Sequence, residues 1–121
     1  MKKREEVEQF LQEFIIKSKI WDVIIRVDRT NNKNLLTRLE LEINYTDIRR
    51  TLSELTCEDY SEGPIPDKLY NISDMWVFGK TIKKKEVYIK IQLGRPGSST
   101  ICISFHFSEH KMKYPFKIDS V

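Results

Sequence analysis

The stretch MWVFGKTIKKKEVYIKIQLGRPGSSTICISFHF, residues 75–107, decides the fold. It breaks into three runs rich in β-branched and aromatic residues: MWVFGK at 75–80, EVYIKIQL at 86–93 and TICISFHF at 100–107. Such residues suit a pleated, half-buried surface. The breaks are the turn Lys83-Lys84-Lys85 and the turn Gly94-Arg95-Pro96-Gly97-Ser98-Ser99. Connections this short join antiparallel neighbours, so the sequence predicts a meander of three strands. The first run is apolar throughout, as in a buried strand.

Toward the N-terminus the pattern turns helical. Val7, Phe10, Leu11, Phe14 and Ile15 recur at the one-face spacing of an amphipathic helix, predicted over residues 3–18. In residues 21–27, Trp21, Val23, Ile25 and Val27 alternate with Asp22, Ile24 and Arg26, which predicts a first strand. Thr30-Asn31-Asn32-Lys33-Asn34 reads as a turn offering N-caps to a short helix over 35–39. Thr46 is the expected N-cap of a further helix, ahead of Asp47 and the stripe Ile48, Leu52, Leu55. Residues 56–74 read as a loop, because Gly63-Pro64-Ile65-Pro66-Asp67 lies within them. That loop carries Glu58, Asp59, Tyr60 and Glu62, and long ordered loops are often functional. No internal repeat or low-complexity tract is visible. The expected fold class is α+β: a twisted antiparallel sheet of about four strands with two to three helices packed on one face. Residues 1–121 form one expected domain, with a helix and first strand in 1–45 and a helix, loop and meander in 46–121.

Composition narrows the function classes. Apolar residues make up 40% and charged residues 32%, both in the globular range, which argues against wholesale disorder. The opening MKKREEVEQF has no apolar core of a secretory signal, and no apolar run reaches membrane-spanning length. Cys57 and Cys102 lack CxxC spacing and are expected to be reduced, so the chain is expected in the cytoplasm, without a disulfide. Charge is split unevenly. Residues 1–75 hold 12 Lys or Arg against 15 Asp or Glu, whereas residues 76–121 hold 9 against 3. A basic half is a hint of nucleic-acid contact.

Strand side chains alternate between faces, and the alternation gathers chemistry. Val87, Ile89, Ile91 and Leu93 point one way, and Tyr88, Lys90 and Gln92 the other. In the last run Ile101, Ile103, Phe105 and Phe107 are expected to share the helix-covered face, with Cys102, Ser104, His106 and Ser108 opposite. If the two strands are hairpin neighbours, Tyr88, Lys90, Ser104 and His106 fall on one small patch. RNA cleavage without a metal needs such a set. The 2′-OH must lose a proton, the leaving 5′-oxygen must gain one, and charge on the phosphoryl oxygens must be stabilised. Imidazole exchanges protons near neutral pH, which gives His106 the proton-transfer role. Lys90 and Lys80 are the candidates to neutralise the phosphorane, and Tyr88 to bond the phosphate or stack on a base. Lys83, Lys84, Lys85, Gln92, Ser104 and Arg95 are candidate RNA contacts, and Glu62 a candidate from the loop. His110, past the last strand, reads as a surface residue. Trp76 and Phe78 read as core. No Asp, Glu or His cluster has ligand spacing, so neither a metal nor another cofactor is expected.

The segments LxxLTCEDYSEGPIPD at 52–67, MWVFGK at 75–80, EVYIKIQL at 86–93, ICISFHF at 101–107 and KYPF at 113–116 resemble the MqsR family of toxins from bacterial type II toxin–antitoxin systems. The resemblance covers about half of the chain. It implies a RelE-like fold, endoribonuclease activity on mRNA without a metal, and inhibition by a cognate antitoxin. Such a partner would be encoded by the adjacent gene, with paired CxxC zinc motifs and a helix-turn-helix. In the family the site is built from Lys, Gln and Tyr residues on the sheet and in the preceding loop, with a basic residue after the Ser-Phe of the last strand. Tyr88 matches the family's tyrosine. His106 falls where the well-studied branch has a lysine, Glu62 near its loop lysine, and Val77 near its glutamine. The runner-up function is a non-catalytic RNA- or protein-binding module with the same basic sheet face, and a third is a structural partner in a larger assembly. An enzyme needs His106 and Tyr88 within reach of one phosphate, whereas a binder needs only the face.

Overall fold

The structure is a computed structural model that describes residues 2–26 and 33–117. The elements are α1 (Lys2–Trp21), β1 (Val23–Ile25), α2 (Lys33–Leu41), α3 (Tyr45–Ser53), a 3-10 turn at Cys57–Asp59, β2 (Tyr60–Ile65), β3 (Met75–Ile82), β4 (Lys85–Gln92) and β5 (Thr100–Phe107). The fold is α+β. The strands form one sheet in the order β1-β5-β4-β3-β2.

The meander β3-β4-β5 is antiparallel, as its short connections require. The sheet as a whole is mixed and five-stranded, which corrects the expected four antiparallel strands. β1 lies at one edge, parallel to β5, with Val23 beside Thr100. β2 forms the other edge, within the segment that reads as a loop. Pro64 within it and Pro66 just after it hide it in the sequence, but an edge strand needs ladder bonds on one side only. Its register also shifts twice, leaving Tyr60 opposite Phe78, Glu62 opposite Val77 and Ile65 opposite Met75. Gly63, at φ 124°, makes the irregular path possible; a Cβ there would meet the Met75 carbonyl oxygen at 3.0 Å.

The helices begin and end for local reasons. α1 runs beyond its expected end to Trp21 and stops at Asp22, whose φ of 67° is left-handed. The Asp22 amide donates to the Ser18 carbonyl at 2.9 Å, a helix C-terminal closure that Asp tolerates. The cap of α3 is Asn44 rather than Thr46. Asn44 Oδ1 accepts from the Asp47 amide at 2.9 Å, and Asp47 Oδ2 accepts from the Asn44 amide at 3.0 Å. This reciprocal box satisfies two donors that a helix start leaves unpaired. Val27 and Thr30, Asn31 and Asn32 of the expected first strand and turn lie outside the described residues, while Lys33 and Asn34 belong to α2.

All three helices pack on one face of the sheet. Val7, Phe10, Leu11 and Phe14 of α1, Leu41 of α2, and Ile48 and Leu52 of α3 join Trp76, Phe78, Val87, Ile89, Ile91 and Phe105 in one core. Phe10 stacks on Trp76 with centroids 4.7 Å apart. Each such side chain contributes ~1.5–3 kcal/mol by leaving water. Among the described residues no helix is long and apolar enough to cross a membrane.

A β-bulge interrupts the alternation of β5. Lys90 faces Ser104, but Ile91 faces Cys102, so Ile103 is an extra residue on β5. Beyond it, Phe105 packs in the core with Phe107 against it, while Ser104 and His106 face away. Before it the faces are reversed from expectation. Cys102 sits opposite Ile91 in the core, and Ile101 sits opposite Gln92 on the other face. Cys57 and Cys102 are buried free thiols, and burial pushes the Cys102 thiol up to about 12, so it stays protonated.

Candidate active site

The sheet face turned away from the helices collects the predicted patch. β4 and β5 register Tyr88 directly opposite His106 and Lys90 opposite Ser104. The Tyr88 and His106 rings stack, with centroids 5.1 Å apart and planes 11° from parallel. These four side chains line one open cavity of about 550 Å³. Glu62 reaches the same cavity from β2, through its pairing with Val77 beside Lys90.

A strap formed by residues 108–117 makes the opposite wall. Glu86, at the start of β4, anchors it. The Ser108 amide donates to the Glu86 carbonyl at 2.9 Å, the Met112 amide to Glu86 Oε1 at 3.0 Å, and the Tyr114 hydroxyl to Glu86 Oε2 at 2.6 Å. The strap then crosses Gly79 of β3, where the Tyr114 hydroxyl and Met112 Sδ occupy the space of a side chain; Sδ would lie 2.8 Å from an added Cβ. Phe116 ends the crossing, stacked on Tyr60 of β2 at 5.5 Å. His110, Lys111 and Lys113 of the strap line the cavity.

His110 is exposed, as expected of a surface residue, and it also lines the cavity wall. Lys111 and Lys113 were missed as site residues altogether. The signal was present but non-local: a glycine within an otherwise apolar strand, a glutamate beginning the next, and an aromatic KYPF segment that needs a surface to lie on. The cavity holds three lysines, Lys90, Lys111 and Lys113, against two glutamates, Glu62 and Glu109, so it favours an anion.

Two details fix the protonation chemistry. His106 Nδ1 lies 2.9 Å from the carbonyl oxygen of Phe107. A carbonyl only accepts, so Nδ1 carries the hydrogen, which leaves Nε2 of the neutral ring as the acceptor. Burial, and then the Glu62 carboxylate, push the Tyr88 phenol above its usual pKa, so it stays a hydrogen-bond donor.

The other predicted residues are not brought to this patch. Lys80 aligns with Val87 on the helix-covered side, and its Nζ pairs with Asp59 Oδ2 at 3.1 Å. One residue of strand separates it from the Tyr88 face. Gln92 is fully buried; its Nε2 donates to the Ser73 carbonyl at 3.0 Å and to Asp67 Oδ2 at 3.3 Å. It holds a loop and is closed to RNA. Lys83 and Lys84 form the two-residue turn between Ile82 and Lys85, at φ 50° and 71°. Lys83 Nζ donates to the Leu41 carbonyl at 2.5 Å, and Lys85 Nζ sits 5.5 Å from the Phe107 ring centroid. Arg95 lies in the turn before β5, where its carbonyl accepts from Lys17 Nζ at 2.7 Å. None of these six lines the cavity.

Among the described residues, no group of three or more His, Cys, Asp or Glu side chains could hold a metal ion. No family model matches the chain, and no curated protein or solved structure matches it at a significant level.

Proposed function

We propose that this chain is an endoribonuclease toxin that cleaves mRNA without a metal, by attack of the 2′-OH on the adjacent phosphorus. The observation that carries the reading is the meeting of Tyr88, His106 and Lys90 in one basic cavity open to solvent. His106 Nε2 accepts the 2′-OH proton as the new P–O bond forms. Lys90 and the Tyr88 hydroxyl hold the two non-bridging oxygens while their charge grows. The P–O5′ bond breaks, and O5′ takes a proton from the imidazolium of His110 on the facing wall. The products are a 2′,3′-cyclic phosphate and a 5′-hydroxyl.

The resemblance to MqsR toxins supports the same reading and adds a cognate antitoxin as the controlling partner. Control of a toxin requires a very small free fraction, so the complex should be nanomolar or tighter, roughly −12 kcal/mol. An mRNA substrate places the protein in the cytoplasm. The ring stack also favours one alternative, a non-catalytic RNA-binding module that presents Tyr88 and His106 to a base. Expression in a bacterial host without the partner separates the two. The nuclease reading expects growth arrest and mRNA fragments with cyclic phosphate and 5′-hydroxyl ends, produced equally in a chelator in vitro. Normal growth at high expression of folded protein, with intact mRNA, overturns it.

A further inference from the structure

A second cavity opens on the same sheet face, on the far side of Lys90. The loop that follows β2 closes over this end of the face and is firmly held. The buried Asp67 carboxylate accepts from the Tyr70 amide at 3.0 Å, from the Ile72 amide at 3.3 Å and from Gln92 Nε2 at 3.3 Å. So supported, the loop leaves Tyr70 54% exposed, with the Arg26 guanidinium 4.9 Å from its ring centroid. Beneath lies a space of about 530 Å³, bounded by Ile65, Met75 and the bulged Ile103 as well as Arg26 and Tyr70. Lys90 lines both this space and the first cavity.

We propose that this second cavity binds an unpaired nucleobase of the RNA, the one flanking the phosphate held at Tyr88, His106 and Lys90; this rests on the nuclease reading. A base has two flat apolar faces and a polar edge. The cavity offers apolar side chains and an aromatic ring for the faces, and a guanidinium for the edge. Its position matches the task. Lys90 is two residues from Tyr88 on the same strand face, about 6–7 Å along the strand. A single strand with its phosphate at the first cavity therefore passes the shared ammonium and delivers its next base to the second. The bulge contributes directly, because it places Ile103 as an apolar wall between the paired positions of Cys102 and Ser104. A scattered exposed aromatic needs no explanation. An aromatic clamped by a cation, over an apolar floor continuous with a basic cavity, fits a base.

The test uses the full chain and labelled 2′-O-methyl pentamers of A, C, G and U, which cannot be cleaved, read by fluorescence anisotropy. Each is compared with the same pentamer lacking one internal base at a time. For at least one pentamer, removal of one particular base should weaken binding about 5- to 150-fold, the worth of a stacked base. Tyr70→Ala should weaken the intact pentamer similarly and the abasic one no further, while Tyr70→Phe should bind as the parent does. Equal binding of intact and abasic pentamers, losses that simply add in Tyr70→Ala, or no binding to any pentamer overturns the subsite. Cleavage of unmodified RNA reports on the other claim separately. Base-dependent binding without cleavage overturns the nuclease reading alone, and cleavage without base dependence overturns the subsite alone.

Discussion

The imidazole of His106 lies flat against the ring of Tyr88, 5.1 Å between centroids, because β4 and β5 register the two residues directly opposite each other. The Phe107 carbonyl holds the imidazole through Nδ1. Ring and carbonyl together fix the direction of Nε2, where an isolated surface histidine would sample several rotamers. A stacked pair contributes ~0.5–1.5 kcal/mol beyond burial alone, enough to bias one rotamer strongly. A general base held in place before substrate arrives is what proton transfer from a 2′-OH needs.

Tyr88→Phe separates the stack from the hydroxyl. The ring remains, so His106 keeps its orientation and the fold its stability. If the hydroxyl holds a phosphoryl oxygen, cleavage should fall by roughly 10²-fold, as when one donor to a developing oxyanion is removed. The pH dependence follows from the raised Tyr88 pKa, caused by burial and then by Glu62. The phenol stays protonated beyond its ordinary range, so cleavage should show no alkaline decline from Tyr88 below about pH 10. Rate profiles of the parent and Tyr88→Phe between neutrality and that pH should run parallel; an alkaline decline present only in the parent would contradict this.

Gly79→Ala tests the strap. The new methyl group would enter the space of the Tyr114 hydroxyl and Met112 Sδ, so these two side chains must shift and disturb the strap that carries them. Overpacking of this kind costs ~1–3 kcal/mol. Urea unfolding should show that loss, and cleavage should fall with it because the disturbed strap carries His110, Lys111 and Lys113 of the cavity wall. Unchanged stability and unchanged cleavage would mean the strap does not lie where Gly79 admits it.

Much of this was legible from residues 75–107 alone. Short connections between β-rich runs gave the meander, and strict alternation in β4 gave the face on which Tyr88 and Lys90 meet. The misses share a cause. The bulge at Ile103 inserts one residue, which reverses a period-two pattern without changing its composition. β2 was invisible because Pro64 within it forbids a central strand but permits an edge, and Pro66 follows directly after it. Lys80 reads as a site residue by its type alone, and Gln92 by its alternation with Tyr88 and Lys90. Lys80 fell on the wrong side because β3, apolar on both faces, shows no alternation; Gln92 shares the parity of Tyr88 but is covered by a loop whose path depends on Asp67. The strap's lysines required a contact between Glu86 and Tyr114, 28 residues apart, which no local pattern announces.

That contact also predicts an alkaline weakness. Burial, then the hydrogen bond and charge of Glu86, push the Tyr114 phenol well above its ordinary pKa. The folded chain thus holds this proton more tightly than the unfolded chain does. The stabilisation is complete below the unfolded pKa of about 10 and is lost as pH rises beyond it. The thermal midpoint of the parent should therefore fall more steeply above about pH 10 than that of Tyr114→Phe, which has no phenol to ionise. Equal slopes would remove Glu86–Tyr114 as the strap's anchor.

The most direct measurement of the central claim is cleavage of single-stranded RNA by purified His106→Ala, in a chelator, with thermal melting of the same sample. With His106 as the proton acceptor, cleavage falls by about 10²–10⁴-fold while the melting midpoint stays close to that of the parent. Full cleavage by a folded His106→Ala protein would contradict the account.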